Sequence, residues 1–311
     1  MALNKVALAA LKALSYPDIN VKKNYRLARQ MANITHYRLL RPFYKTWDYH
    51  VTSQGHDIPV RIFSPDETAS PLLLFFHGGG WVTGNIDSYG GVCASMARLT
   101  GCRVASVDYR LAPEYKFPAA PEDCYAAARE IFAHSTELGV LEKDITLVGD
   151  SAGANLAAVV GMMARDRGEF MPRRQILLYP ATYFEHGDTS PFPSIAENGT
   201  DFLLTSKRIC DYMELYLDTP ENKQNPYFAP LLGELGGLPE TLLITAEFDP
   251  LRDEGEAFGE KLARCGTKVE MHRIADALHG FFSLPPAFSQ VRETYNYINR
   301  FLGKEGYDER A

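Results

Sequence analysis

Several things are scarce in this chain, and each scarcity closes a class of function. Five cysteines occur in 311 residues (Cys93, Cys102, Cys124, Cys210 and Cys265), odd in number, scattered, and without a CxxC pair. That excludes a disulfide-stapled scaffold and argues against zinc, leaving reduced and mostly buried thiols. No apolar run approaches the ~20 residues of a membrane-spanning helix. Basic charge is in deficit, with 32 Lys and Arg against 39 Asp and Glu and a net charge of −7. A general nucleic-acid surface is therefore not expected, and no polybasic tract offers contact with an anionic membrane. Internal repeats and low-complexity tracts are absent too. What remains is ordinary globular composition, 46% hydrophobic and 23% charged. Its length suits two domains, or one large α/β domain carrying an insertion.

At the N-terminus Lys5 precedes an apolar stretch, but Lys12 interrupts it and no small-x-small site precedes Tyr16-Pro17. An amphipathic helix with Val6, Leu8, Leu11 and Leu14 on one face is the better reading than a signal peptide. A second helix is expected over 25–36. With no export signal, the expected location is the cytoplasm. The matches to the glycosylation pattern at Asn33-Ile34-Thr35 and Asn198-Gly199-Thr200 then count as accidents.

From Trp47 the pattern changes. Residues 47–51 and 58–63 alternate around Gly55-His56-Asp57, as an antiparallel pair does. Continuous apolar runs follow at 72–76, 104–107, 145–148, 176–179 and 242–245, with a more polar run at 268–274. Such runs mark strands covered by helices on both faces. Helical stretches at 89–99, 122–132, 152–165, 207–217, 254–264 and 288–301 separate them. The expectation is an α/β fold built on a mostly parallel, doubly wound sheet of eight strands. The N-terminus and the stretch 184–217 fall outside that alternation and are expected to fold together as a lid. The expected division is a core of 46–183 and 218–311, with a helical cap of 1–45 and 184–217.

Gly149-Asp150-Ser151-Ala152-Gly153 sits between an expected strand and an expected helix, the strand-turn-helix context of a G-x-S-x-G nucleophile elbow. His77-Gly78-Gly79-Gly80-Trp81 closes another strand. A phosphate loop would carry Lys and Ser or Thr after its glycines, whereas Trp81-Val82 follows here. The pattern instead suits an oxyanion hole built from the N–H groups of Gly79 and Gly80, with a third from Ala152. His77 is expected to order this loop and not to carry protons.

A serine hydroxyl needs a base, and the base an orienting acid. His279 follows the last strand on the edge where the elbow opens. His36, His50, His56, His134 and His272 are placed worse. Among the acids, Asp249 comes straight after the strand 242–245 and is the best candidate. Asp253 is expected to cap the next helix, Asp276 to shape the loop before His279, and Asp150 to point away from the site.

Four blocks in order then carry a resemblance. They are His77-Gly78-Gly79-Gly80-Trp81, Asp108-Tyr109-Arg110-Leu111-Ala112-Pro113-Glu114, Gly149-Asp150-Ser151-Ala152-Gly153-Ala154-Asn155, and Asp249-Pro250-Leu251-Arg252-Asp253-Glu254 with His279-Gly280-Phe281. Over residues 45–303 the chain resembles the hormone-sensitive-lipase-like branch of the α/β-hydrolases, in particular its bacterial short-chain carboxylesterases. The resemblance implies a triad of Ser151, His279 and Asp249, oxyanion donors at Gly79, Gly80 and Ala152, and a cap made from the N-terminus and an insertion after the sixth core strand. Residues 108–114 are implied to order the glycine loop. Trp81 stands where the family more often has Phe, which places it at the acyl pocket as a substrate-binding residue.

The expected activity is hydrolysis of short-chain acyl esters through an acyl-enzyme, with a small-molecule ester as partner and no metal or organic cofactor. A homodimer is compatible with the sequence. Aromatic residues of the two cap segments (Tyr16, Tyr25, Tyr37, Phe43, Tyr44; Phe184, Phe192, Phe202, Tyr212, Tyr216) would wall a small acyl pocket. An amidase or arylformamidase would use the same triad. A ligand-binding protein that had lost catalysis is the remoter alternative, disfavoured by the presence of His279.

Overall fold

A computed structural model describes residues 21–35, 45–66 and 71–304. The sheet opens with a hairpin, β1 (Lys45–Ser53) against β2 (His56–Ser64), in register from Lys45 opposite Ser64 to Ser53 opposite His56. Its turn is Gln54-Gly55, both at positive φ (50° and 78°), a two-residue connection whose twist suits the strands. The turn thus lies ahead of the expected Gly55-His56-Asp57, because His56 and Asp57 already pair. Gln at the first left-handed position gives none of the signal that Asn would.

Six strands follow: β3 (Leu72–Phe76), β4 (Arg103–Val107), β5 (Ile145–Asp150), β6 (Arg174–Leu178), β7 (Glu240–Phe248) and β8 (Val269–Leu278). The order across the sheet is β1-β2-β4-β3-β5-β6-β7-β8. Only β2 meets its neighbours antiparallel; β4, β3 and β5 through β8 run parallel.

The central strands read as unbroken apolar runs because both faces are covered. In β3 every residue is buried. Leu72, Leu74 and Phe76 join the cluster under α3 (Ala119–Ala133) and α4 (Ala152–Arg167), while Leu73 and Phe75 join the cluster under α2 (Gly90–Thr100) and α8 (Ser289–Phe301). The period-two alternation of a strand divides one sequence run between two cores. β8 is an edge strand, like β1, and only partly buried, which accounts for its polar sequence.

Two segments stand outside this layering. Helix α1 (Val21–Thr35) starts four residues before the expected position and kinks at Asn24 (φ −125°, ψ 29°). After β6 the chain forms α5 (Pro193–Asn198), which was not expected, and α6 (Ser206–Tyr216). α1 packs against α6, with an ion pair between Lys22 and Glu214. His186, at the root of this insertion, is buried with Nε2 2.6 Å from Glu254 Oε2, and the same carboxylate accepts the Thr182 and Tyr183 N–H groups. The expected helix over 1–14 and the aromatics Tyr16, Tyr37, Phe43 and Tyr44 lie outside the described residues.

All five cysteines are free, and Cys93, Cys102 and Cys124 are buried. Asn198 is buried and donates to the Asp249 carbonyl at 3.3 Å, so the second glycosylation match has no free surface to carry a glycan. Among the described residues no helix is long and apolar enough to cross a membrane.

Candidate active site

Ser151 stands between β5 and α4 at φ 55°, ψ −120°. The turn is sharp enough that the residues two positions to either side must be glycine. A Cβ on Gly149 would lie 2.1 Å from the Gly153 carbonyl oxygen, and one on Gly153 would lie 2.0 Å from that of Phe76. Backbone cannot move aside as a side chain can, so the two glycines are a steric requirement of the strained turn. Ser151 is held there by its N–H to the Leu178 carbonyl (2.8 Å). Asn155, one helical turn on, donates to the Ala181 and Phe228 carbonyls at 2.9 and 3.0 Å.

His279 follows β8 and Asp249 follows β7. The imidazole spans both partners, with Nε2 2.8 Å from Ser151 Oγ and Nδ1 2.7 Å from Asp249 Oδ2. Asp249 is fully buried, and its second oxygen accepts the Leu251 N–H at 2.8 Å. The Tyr179 ring stands edge-on to His279 at 4.9 Å and backs it; nothing in the sequence singled this residue out.

The competing acids are elsewhere. Asp276 takes φ 56° and its N–H donates to Glu247. Asp253 does not cap its own helix. It lies in the first turn of α7 (Arg252–Arg264), where it accepts the Ser194 N–H at 2.7 Å and so holds the start of α5. The α7 N-cap position is Leu251, already tied to Asp249.

Asp150 points away from the reacting atoms and into the glycine loop. Its two oxygens accept the Gly78 N–H (2.7 Å) and the Tyr89 hydroxyl (3.1 Å). Burial pushes this carboxyl up to about 6, although both hydrogen bonds pull it down. His77 is fully buried, with Nδ1 2.8 Å from the Gly78 carbonyl, and burial pushes its imidazole down to about 4. It is therefore neutral at ordinary pH and orders the loop. Tyr109 stacks on its ring at 4.3 Å and donates to its carbonyl at 2.7 Å, which ties residues 108–114 to the glycine loop.

Gly79, Gly80 and Trp81 all take positive φ (114°, 61° and 59°). Ala152 is the first residue of α4, so its N–H has no intrahelical acceptor, and it lies at the positive end of the helix. Gly79, Gly80, Ala152, Ser151 and His279 all line one cavity of about 190 Å³. Leu204, Ile209, Tyr212 and Met213 close it from the insertion, and Leu251 from the core. Trp81 also lines it; its indole is buried against Tyr216, stacked at 4.5 Å.

A profile of the α/β-hydrolase fold matches residues 73–283. The carboxylic ester hydrolase LipN of Mycobacterium tuberculosis is 41% identical over 247 residues, 76% of this chain and 64% of that relative. The esterase LipI of the same organism is 34% identical over 301 residues, covering 95% and 92% of the two chains. Among solved structures, a hyperthermophilic esterase from Pyrobaculum calidifontis superposes with a TM-score of 0.85 at 35% identity, over 97% of this chain and 98% of that one. The chain belongs to the α/β-hydrolases, in the esterase family related to hormone-sensitive lipase.

Proposed function

We propose that the protein is a serine carboxylesterase that hydrolyses short-chain acyl esters through an acyl-enzyme. The observation that carries this reading is the unbroken contact from Ser151 through His279 to Asp249 at the floor of one small cavity. His279, neutral with its proton on Nδ1, takes the Ser151 proton at Nε2 as Oγ attacks the ester carbonyl. Asp249 holds the imidazole in that tautomer and stabilises the imidazolium. The carbonyl oxygen, now an oxyanion, is met by the Gly79, Gly80 and Ala152 N–H groups, and one such donor is worth roughly 3–4 kcal/mol in the transition state. The imidazolium then gives its proton to the departing alkoxide, which leaves as the alcohol. Water repeats the attack on the acyl-enzyme with His279 again as base. Collapse releases the acid and returns the proton to Ser151.

Cavity size supports a short acyl group. A cavity of ~150 Å³ takes a benzene ring; one of about 190 Å³, with apolar walls at Leu204, Ile209, Met213 and Leu251, suits a short acyl group, from acetyl to roughly hexanoyl. We assign residues 1–45 and 184–217 to a cap and the remainder to the catalytic core, because α1 meets α6 and residues 204–213 close the cavity. Trp81 is assigned to the substrate wall. Five unpaired cysteines support a reducing compartment, the cytoplasm.

Ser151→Ala and His279→Ala should each nearly abolish turnover, and an organophosphonate should label the native protein but not Ser151→Ala. Asp249→Asn should lose activity by roughly four orders of magnitude. Asp276→Asn should be mild, since Asn tolerates the left-handed backbone and the Asp276 contact to Glu247 is made by the main chain. Retained turnover in Ser151→Ala would overturn the reading. Faster hydrolysis of an amide than of its matched ester would move it to an amidase.

A further inference from the structure

The glycine loop between β3 and α2 is built from residues that do not hold a shape by themselves. Gly79, Gly80, Trp81 and Gly84 all take positive φ. Oxyanion donors must nevertheless be in place before the charge develops, since reorganisation during the reaction is what such a site avoids.

Beyond the Gly78 N–H that Asp150 accepts, the loop is held through its carbonyls. That of Gly79 accepts the Val82 and Thr83 N–H groups (3.1 and 3.0 Å) and the Thr83 hydroxyl (3.0 Å). That of Trp81 accepts the Ala112 N–H at 2.9 Å. These bonds come from the loop and the core. The Val82 carbonyl is different: its donor is Arg29 of α1, with Nε at 2.8 Å. The same guanidinium donates through Nη2 to the Ala112 carbonyl at 2.8 Å and pairs with Glu114 at 2.9 and 3.2 Å. Arg29 thus closes residues 81–82 onto residues 112–114 from outside the sheet. Its rigid planar fork reaches three acceptors spread around it, a geometry that the single nitrogen of a lysine matches less well. A second cap residue approaches from the other side: a Cβ on Gly80 would lie 2.5 Å from Tyr212 Cγ, so the α6 ring rests on the loop.

We propose that Arg29 is a positioning residue for ester hydrolysis, fastening the glycine loop so that its N–H groups stay aimed at the oxyanion. The inference rests on the serine esterase reading above. Arg29 does not line the cavity, so it should act on the transition state and not on ground-state binding. For Arg29→Ala, kcat should fall about 10–100-fold with KM nearly unchanged, the scale of a slight misplacement of catalytic groups. Inhibition by a trifluoromethyl ketone, which mimics the tetrahedral oxyanion, should weaken in parallel. Arg29→Lys should recover part of the loss. Glu114→Gln, which leaves α1 intact, should give a smaller loss of the same kind.

Hydrogen exchange supplies a readout that needs no substrate. Amides of residues 78–83 should exchange faster in Arg29→Ala than in the native protein. Unchanged exchange would overturn the proposal, as would a rise in KM at constant kcat, or a lowered melting temperature with kcat intact. Failure of the native protein to hydrolyse any ester, with the exchange result as expected, would instead overturn the esterase reading and leave the fastening of the loop in place.

Discussion

Asp150 adjoins Ser151 in sequence and yet acts on a different part of the site. Its partners, Gly78 and Tyr89, lie 72 and 61 residues away along the chain. A contact of that kind follows from the parallel pairing of β3 with β5, and no local pattern announces it. It also has a thermodynamic signature. Burial raises this carboxyl from 3.8 to about 6, so between those values the folded protein keeps a proton that the unfolded chain has released. Unfolding then releases a proton, and stability falls as pH rises through that window. The shift amounts to roughly 3 kcal/mol for a fully buried group. Urea unfolding of the native protein and Asp150→Asn should therefore show the native protein losing about 3 kcal/mol relative to the variant between pH 3.5 and pH 7. A difference independent of pH would mean that Asp150 does not bind this proton in the folded state. At this same scale Ser151, Asp249 and His279 were legible because each follows a strand. Arg29 was not, because two of its three acceptors are main-chain carbonyls with no side-chain identity and the third, Glu114, lies 85 residues away along the chain.

Elements divide in the same manner. The strands β3 and β5 could be placed to within a residue or two, since burial on both faces leaves no polar interruption. The six-residue α5 was missed: it is too short for an apolar period to emerge, and Pro193 at its start reads equally as loop. Helix α6 was legible, and it carries the cavity wall at spacing i, i+3, i+4 through Ile209, Tyr212 and Met213. It starts at Thr205, whose hydroxyl oxygen accepts the Arg208 N–H at 3.2 Å. Thr205→Ala should therefore destabilise α6 by about 1 kcal/mol. Because Thr205 caps only the first turn of α6, the loss should be local. Amides in 206–216 should exchange faster while those of β3 and β5 keep their protection. Equal loosening of helix and sheet would instead make the insertion part of the same cooperative unit as the core.

Across the whole molecule, the cavity is formed between the carboxyl edge of the sheet and the insertion that covers it. The sheet supplies its floor, with Ser151, His279 and the glycine loop at the carboxyl edge of the parallel strands. The roof is α6, and α6 rests on α1, where Val21 is buried and Lys22 reaches Glu214. Removing residues 1–35 would take away that support and the Arg29 fastening together, leaving the α6 face open to water. Two effects should then separate in one set of kcat/KM values. Loss of loop fastening should lower activity on every ester by a similar factor. Loss of the roof should narrow the gap between butanoyl and decanoyl esters, because the longer chain no longer meets a wall. Arg29→Ala in the full chain should reproduce only the first effect. A truncated protein with native activity and an unchanged chain-length profile would mean that α1 supports neither the roof nor the glycine loop.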